Sequence, residues 1–355
     1  MHKAMPIGVE DFCELRKGYY FVDKTRFIRQ LLDEHSKVTL LTRLRRFGKT
    51  LTMSMLDWFF SIDKADKSRE LFVGLDIERA GASYMGACGQ YPVVFLTFKD
   101  TNGLSWEMMQ GLFSSYISML FLRYTYLLDS PRVQDPLKKR FQQIVEMEAD
   151  EARLSAALAL LMEMLRQHYG RQVILLIDEY DALVQQAWEN GFYRECIAFL
   201  KQLLGSALKS NDNLAFAVLT GVLRVAKESI FTGLNNLKTF SITDYTCASA
   251  FGFTDEDVKT LLAYYGMEHK YDTIKEWYDG YQFGDAEVYC PWDGVNYVDR
   301  LQDRENLEPQ NYWVNTSGND AVRYLIGKMG NGVLKSEMES LIAGETVEKD
   351  VREDL

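Results

Sequence analysis

The stretch at residues 37–50, K-V-T-L-L-T-R-L-R-R-F-G-K-T, limits the folds open to this chain more than any other. Its apolar, β-branched run at 38–42 predicts a buried strand. A basic turn ending in Gly48, Lys49 and Thr50 follows, and apolar residues then recur at helical spacing. A strand, a Gly-Lys-Thr turn and a helix in this order predict a phosphate-binding loop.

The residue types of this turn suit phosphate and magnesium chemistry. Gly48 lets the backbone approach a phosphate, Lys49 supplies a mobile cation for phosphate oxygens, and Thr50 offers a hydroxyl to Mg²⁺. The full pattern has a glycine five residues before Gly48, where this chain has Arg43. Because a bare Gly-Lys-Thr triplet is common by chance, a second element has to agree with the loop.

Residues 171–181, R-Q-V-I-L-L-I-D-E-Y-D, supply that second element. Their five consecutive apolar residues predict a strand buried on both faces, with Asp178 and Glu179 at its carboxyl end, where open α/β sheets bind ligands. This is the form of a Walker B motif, whose aspartate holds Mg²⁺ and whose glutamate deprotonates the attacking water. The alternative is a strand that ends in acidic residues and enters a turn, and the upstream loop favours the catalytic interpretation.

Another buried strand is predicted at 214–220, followed by Gly221 and Arg224. At the end of this strand Thr220 could sense the γ-phosphate, and Arg224 could reach phosphate oxygens. Equally, Thr220 and Gly221 could only form a turn, and Arg224 could pair with a surface carboxylate. The residues alone leave both interpretations open.

Composition narrows the classes of function. The formal net charge of −11 argues against a general nucleic-acid-binding surface, although a local basic groove stays open. Five scattered cysteines without C-x-x-C spacing predict free thiols in a reducing compartment, and four histidines without ligand spacing give no support for metal catalysis by histidine. Because we find no apolar stretch long enough for a signal peptide or a membrane span, we expect a cytoplasmic protein.

The remaining pattern predicts an α/β fold, a three-layer sandwich with a mostly parallel central sheet. We expect a core at residues 1–245 and a small helical lid at 246–355. The further elements predicted are an aromatic strand near 19–25, a helix at 26–34, a strand at 91–98, helices at about 105–128, 137–169 and 192–209, a strand at 236–243 and a capped helix from 254 to about 265.

Several motifs occur together in a fixed order: Y-Y-F-V-D-K-T, T-R-L-R-R-F-G-K-T-L, L-L-I-D-E-Y-D, A-V-L-T-G-V-L-R, K-E-W-Y-D-G-Y-Q-F-G and Y-W-V-N-T-S-G-N-D. From about Met5 onward the chain resembles the bacterial AAA-ATPase-like family of P-loop proteins. The resemblance implies a P-loop NTPase core of the additional-strand, catalytic-glutamate type, with a further strand between the Walker A and Walker B strands. The family loop is usually T-R-P-R-R-F-G-K-T, which accounts for Arg43, while Leu44 here replaces the proline.

The chain differs from the usual family sequence at two further positions, and we find no sign of a domain that longer members carry. Cys290 stands where the family usually has asparagine, and Pro-Trp-Asp at 291–293 replaces Pro-Trp-Ser. Longer members carry a C-terminal nuclease-like domain of the PD-(D/E)XK superfamily. Residues 300–355 contain no D…E-x-K arrangement on a predicted strand, so we expect no nuclease activity from this chain.

The combined hypothesis is an ATP-binding, Mg²⁺-dependent NTPase. Thr50 and Asp178 would position Mg²⁺, Glu179 would act as the base, and Arg46 would contact phosphate or face solvent. The predicted nucleotide-binding residues are Arg45, Arg46, Phe47, Gly48, Lys49, Thr50 and Leu51. One alternative is a nucleotide-operated switch with little turnover that signals to a protein partner, a second copy or a missing domain. The other is a nucleic-acid adaptor that uses the arginines at 43, 45 and 46, against which the acidic net charge counts.

Overall fold

A computed structural model describes residues 2–99, 103–222, 230–231, 234–304 and 306–313. Its strands are β1 (Val38–Thr42), β2 (Val93–Thr97), β3 (Val173–Asp178), β4 (Leu214–Gly221), β5 (Leu237–Phe240), β6 (Tyr281–Phe283) and β7 (Ala286–Val288). Its helices are α1 (Phe12–Gly18), α2 (Arg26–Glu34), α3 (Lys49–Phe60), α4 (Ala65–Leu71), α5 (Asp76–Arg79), α6 (Ala82–Met85), α7 (Trp106–Leu122), α8 (Asp135–Val145), α9 (Glu151–Ser155), α10 (Ala157–Tyr169), α11 (Ala182–Asn190), α12 (Tyr193–Leu208), α13 (Asp255–Tyr265), α14 (Tyr271–Tyr278) and α15 (Pro291–Asp303).

The central sheet has the order β2-β3-β4-β1-β5, and all its pairings are parallel. Strand β4 lies between β1, which precedes the Gly-Lys-Thr turn, and β3, which ends in Asp178. The extra strand that the resemblance implied is therefore confirmed. Because the strands are parallel, their carboxyl ends meet at one edge of the sheet and bring the loops after them together.

Side chains of β3 alternate between the two faces of the sheet, and this alternation builds the three layers. Ile174 and Leu176 pack with α1 to α5, whereas Leu175 and Ile177 pack with α7 to α12. Every residue of β3 is buried, as expected for a central strand covered on both faces. The predicted α/β sandwich is thus confirmed.

The described part of residues 246–313, which we call the C-terminal region, has a hydrophobic cluster of its own. Helices α13, α14 and α15 contribute most of it, and Met5 from the N-terminus joins it. Helix α13 begins with the predicted capping box, in which the Thr254 hydroxyl accepts from the backbone of Asp257 and the Asp257 carboxylate accepts from the backbone of Thr254. The boundary at 245/246 stays a prediction.

The single helix predicted at 137–169 is wrong, because the structure has three helices there, α8, α9 and α10. Helix α8 ends at Val145, and Met147 adopts a left-handed backbone with φ 60°. Asp150 then caps α9 by accepting a hydrogen bond from the Arg153 backbone. A local cap and a left-handed residue therefore override a composition that favours one continuous helix.

Three further predictions differ from the structure in extent or type. The aromatic segment near 19–25 forms no strand, and Tyr19 makes only an isolated bridge to Ala4. Residues 277–284 lie in the segment predicted to be a helical lid, but they divide between α14 and the hairpin strand β6, with Gly280 at φ 122° between them. The last sheet strand is confined to β5, and most of the motif at 312–320 lies outside the described residues. Among the helices that the structure describes, none is both long enough and apolar enough to cross a membrane.

Candidate functional site

The Gly-Lys-Thr turn lies at the carboxyl edge of the sheet, between β1 and α3. Gly48 adopts a left-handed backbone with φ 79° and precedes the first residue of α3. Arg46 is also left-handed, with φ 70°, a conformation that usually favours glycine. The loop therefore turns twice before the helix begins, and it places backbone N–H groups at the positive end of the helix dipole.

Lys49 is folded into this loop. Its side chain is 5% exposed, and its Nζ donates to the carbonyl oxygens of Arg43 at 3.0 Å and Leu44 at 2.9 Å. Burial lowers the pKa of Lys49, and nearby carboxylates, chiefly those of Asp181 and Asp178, oppose that shift. The ammonium group is thus enclosed by the loop at residues 43–48 and lies close to the acidic residues that follow β3.

Thr50 and Asp178, predicted to share a metal ion, are brought together. The Thr50 hydroxyl donates to Oδ2 of Asp178 at 2.7 Å, and Asp178 is fully buried. The other carboxylate oxygen, Oδ1, accepts a hydrogen bond from the hydroxyl of Thr220 at the end of β4. Threonines from two elements therefore orient this aspartate, and the phosphate-sensing role of Thr220 stays a prediction.

This donor set fits Mg²⁺. Hydroxyl and carboxylate oxygens are hard ligands, and Mg²⁺ in nucleotide sites is usually held by one or two protein groups together with phosphates and waters. Within the part of the chain that the structure describes, no three His, Cys, Asp or Glu side chains form a cluster that could hold a metal without such help. Thr50 and Asp178 are the two protein groups that would hold a magnesium ion here.

Glu179 follows the last residue of β3 and is half-buried. Its backbone is left-handed, with φ 52°, which is uncommon for a residue with a side chain and is found at functional sites. Burial raises the pKa of Glu179, and the neighbouring Asp178 raises it further. Lys49 and Lys99 oppose this shift. A carboxylate with a raised pKa close to a buried lysine is suited to accept a proton.

Gly221, directly after Thr220 at the end of β4, packs closely against Tyr180 and Asp181. A Cβ atom there would lie 2.6 Å from the Tyr180 ring and 2.7 Å from Oδ1 of Asp181. The other oxygen of that carboxylate, Oδ2, accepts from the backbone of Val222 at 2.9 Å. Asp181 was not singled out from the sequence, although its position three residues after Asp178 could have indicated it. Arg224 lies outside the described residues.

We expect Gly221→Ala to lower the free energy of unfolding by about 2 kcal/mol or more, because the new methyl group meets a buried ring and a buried carboxylate. Gly205→Ala in α12 is the matched control, since a Cβ atom there meets nothing within 4 Å and alanine favours a helix. Denaturant unfolding of both variants measures the difference. Equal stability of the Gly221 variant and the wild type would show that Tyr180 and Asp181 can move aside.

Arg43 replaces the first glycine of the usual loop, and its side chain is directed away from the site. It is fully buried and donates to the carbonyl oxygens of Thr42, Phe240 and Cys247. Its guanidinium carbon also lies 5.5 Å and 5.2 Å from the ring centroids of Phe251 and Phe283. Arg43 therefore ties the loop to β5 and to the C-terminal region.

We expect Arg43→Gly, which restores the usual loop glycine, to destabilise the protein by at least about 3 kcal/mol, because three carbonyl groups lose a charged donor and a large cavity opens. Arg45→Gly is the control in the same loop, since Arg45 is exposed and its one described hydrogen bond is to Gln185 at 3.1 Å. Thermal and denaturant unfolding compare the two. A stable Arg43 variant would contradict the bracing role.

The other predicted loop residues divide between the cavity and the core. Phe47 is 2% exposed, and its ring packs 5.1 Å from that of Tyr281 and 5.2 Å from that of Phe283. Leu51 is half-buried beside the turn and lines the cavity. The Arg46 guanidinium lies 4.2 Å over the ring of Trp292 at the start of α15. Nothing in the sequence alone places the Pro-Trp-Asp motif at 291–293 in the site.

A cavity of about 540 Å³ opens in front of the loop. The loop itself, Glu179 and α11 line part of the cavity, and residues from 6–24 and from the C-terminal region line much of the remainder. Lys99, just beyond β2, also lines the cavity and pairs with Glu10 at 2.8 Å. The volume is within the range of nucleotide-sized ligand sites, and the walls away from the loop include apolar side chains such as Val9, Phe21 and Phe253.

The chain is similar in sequence to known proteins. A relative from Azotobacter chroococcum mcd 1, named "Uncharacterized protein in vnfD 5'region", is 28% identical over 296 residues, which cover 82% of this chain and 51% of the relative. This chain thus spans about half the length of that relative. No solved structure matches. A family model described as "Predicted AAA-ATPase" matches residues 6–231, well over half of the chain, and the protein therefore belongs to the predicted AAA-ATPase family.

Proposed function

We propose that the protein binds ATP with Mg²⁺ and hydrolyses it to ADP and phosphate. The observation that carries this proposal is the convergence of Lys49, Thr50, Asp178 and Glu179 at one edge of a parallel sheet, with the Thr50 hydroxyl 2.7 Å from the Asp178 carboxylate. A lysine, a threonine and an aspartate in this arrangement are the parts that P-loop NTPases use to hold phosphates and magnesium. The family membership supports the nucleotide-binding part.

In this proposal the phosphates bind at the turn before α3. Backbone N–H groups from Arg45 to Leu51 surround them, and Lys49 exchanges its bonds to two loop carbonyls for phosphate oxygens. Thr50 and Asp178 hold the metal ion, which when bound neutralises phosphate charge. Because Lys49 already lies inside the loop, it needs only a local movement to reach a phosphate.

Glu179 acts in this proposal as the base for the attacking water. Its raised pKa increases its affinity for a proton, and its place beside Asp178 puts it at the metal end of the cavity. Thr220 orients Asp178 through a hydrogen bond and thereby contributes to the metal site. In this scheme Thr220 acts by orienting Asp178. Whether its hydroxyl also contacts a phosphate is decided only when the nucleotide is bound.

The nucleoside occupies the outer cavity between residues 6–24 and the C-terminal region. Apolar walls of this kind accept a flat base through burial of its faces. We assign adenine from the family membership, because the described walls do not by themselves select one base. In this arrangement residues 1–245 act as the NTPase core and residues 246–355 as a lid over the nucleotide.

A second candidate is a nucleotide-operated switch that binds ATP but turns over little. It is favoured by the composition of the cavity wall, because α15 and residues 250–253 line the cavity and would contact a bound nucleotide. The partner would be a second copy, another protein or a further domain. A nucleic-acid adaptor is less well supported, because the side chains of Arg43, Arg45 and Arg46 contact three separate parts of the protein.

We place the protein in the cytoplasm on the evidence of its cysteines. All five are free and buried. Burial raises the pKa of Cys88 to about 11 and that of Cys196, Cys247 and Cys290 to about 12, so these thiols stay protonated and unreactive. Unpaired thiols in the core are typical of proteins in reducing compartments.

The test is calorimetric binding of ATP with Mg²⁺, together with phosphate release from the wild-type protein. Binding with turnover supports the ATPase, and binding without turnover supports the switch. Absence of ATP binding, together with a salt-sensitive gel shift on DNA, would favour the adaptor. Replacing Mg²⁺ with EDTA in the same assay should weaken binding if Thr50 and Asp178 hold the ion.

A further inference from the structure

The contact between Arg46 and Trp292 links the phosphate loop to the C-terminal region. The Arg46 guanidinium carbon lies 4.2 Å from the centre of the Trp292 ring, and both residues line the cavity. Among the described residues this is the shortest contact between a cation and an aromatic ring. Trp292 lies outside the segment 6–231 that defines the family match.

The Trp292 ring is held in place by its own region. It is the second residue of α15 and half-buried. Its indole N–H donates to the carbonyl of Tyr312 at 3.2 Å, and its own carbonyl accepts from the Asn296 side chain at 2.7 Å. The adjacent Asp293 is 7% exposed, so the first turn of α15 is packed into the C-terminal region. The ring is therefore a fixed surface.

Arg46 is constrained from its own side as well. Its backbone is left-handed, and Gly48, two residues later, is left-handed too. This turn sends the Arg46 side chain toward α15, while Arg45 reaches Gln185 on α11. A guanidinium that lies over an aromatic ring contacts it through its face, and its N–H groups at the edge can still bind phosphate oxygens.

We propose that Trp292 is a positioning residue, which holds the Arg46 guanidinium in the orientation that binds the phosphate groups of the nucleotide. The proposal rests on the proposed function, since it requires a nucleotide at the Gly-Lys-Thr turn. It makes α15 part of the phosphate site. The site is then incomplete without the C-terminal region, although Trp292 itself touches no phosphate.

The test measures affinities for ATP, ADP and adenosine in Trp292→Leu, Arg46→Ala and the double variant, all with Mg²⁺. We expect each single variant to weaken ATP and ADP binding about 5- to 30-fold, the range for loss of one charge-assisted contact. Adenosine, measured by displacement of a fluorescent ATP analogue, should bind within about twofold of wild type. When Arg46 is already alanine, adding Trp292→Leu should weaken ATP binding by less than about a further twofold, because the effect of Trp292 passes through Arg46.

Two further variants separate positioning from folding. Trp292→Phe keeps an aromatic face and should recover most of the ATP affinity that Trp292→Leu loses. Trp277→Leu is the matched control, because Trp277 is 51% exposed on α14 and lies outside the cavity lining. Its ATP affinity should equal that of the wild type.

The results that would overturn the proposal are distinct. Equal ATP affinity of Trp292→Leu and wild type, or additive losses in the double variant, would show that Trp292 does not act through Arg46. A parallel loss of adenosine binding would show that the ring contacts the base or supports the fold. If the wild type binds no ATP, the proposed function itself fails, and this inference fails with it.

Discussion

Replacing Lys49 with alanine is expected to weaken binding of ATP with Mg²⁺ at least about 100-fold, which corresponds to about 2.8 kcal/mol. Lys49 is 5% exposed and is surrounded by the loop that would hold the phosphates, so its charge is poorly screened by water. The variant loses charge-assisted bonds to phosphate oxygens that no backbone N–H can replace in strength. Isothermal titration measures the change.

The fold should survive this substitution, although the Arg43 and Leu44 carbonyls lose their lysine donor. Circular dichroism and thermal unfolding check that point before affinities are compared. Lys259→Ala is the control, because Lys259 is an exposed lysine on α13 that pairs with Asp255 outside the cavity. If the Lys49 variant binds ATP as well as wild type does, the phosphate loop has been assigned to the wrong turn.

Glu179→Gln is expected to leave the dissociation constant for ATP within about threefold of wild type while lowering the rate of phosphate release at least about 100-fold. Glutamine has nearly the same shape and can occupy the same left-handed position, but it cannot accept the proton of water. Binding is followed by calorimetry and turnover by phosphate release. Glu195→Gln is the control, since Glu195 is an exposed carboxylate in the first turn of α12.

The pH dependence of the rate of phosphate release by the wild-type protein tests the role of Glu179 independently. Burial raises the pKa of Glu179 above its ordinary value of 4.5, and only the ionised carboxylate can take a proton. The rate should therefore be full above this raised pKa and should fall as the pH drops through it. Turnover that persists in the Glu179→Gln variant would assign the base to another group, and Asp181 would be the next one to test.

The centre of the site was predictable because each part is local in sequence. A buried strand that ends in Asp-Glu and a strand followed by Gly-Lys-Thr place their last residues at one edge of a parallel sheet. The bonds of Asp178 to Thr50 and Thr220 follow from that topology. The roles proposed for these residues remain predictions until nucleotide binding is measured.

What could not be predicted depends on contacts between distant parts of the chain. Arg43 looked like one of three basic loop residues, but its carbonyl partners Phe240 and Cys247 lie about 200 residues further along. The pairing of Arg46 with Trp292 is similarly remote. At 137–169 the helix-favouring composition predicted one continuous helix, and nothing in the sequence indicated that Met147 adopts a left-handed backbone. No local pattern records which distant atoms come to surround a side chain.

The buried position of Arg43 has a consequence for how this protein can be divided. Its hydrogen bond to Cys247 and its contacts with Phe251 and Phe283 all cross the boundary that the sequence suggests after residue 245. A fragment cut there would keep the Gly-Lys-Thr turn and the Asp-Glu end of β3. Its Arg43 would keep the carbonyl partners Thr42 and Phe240 but would lose the hydrogen bond to Cys247 and both aromatic contacts. The shortest autonomous unit is therefore longer than the segment that carries the motifs, and expression trials of shortened versions need to retain the hairpin formed by β6 and β7.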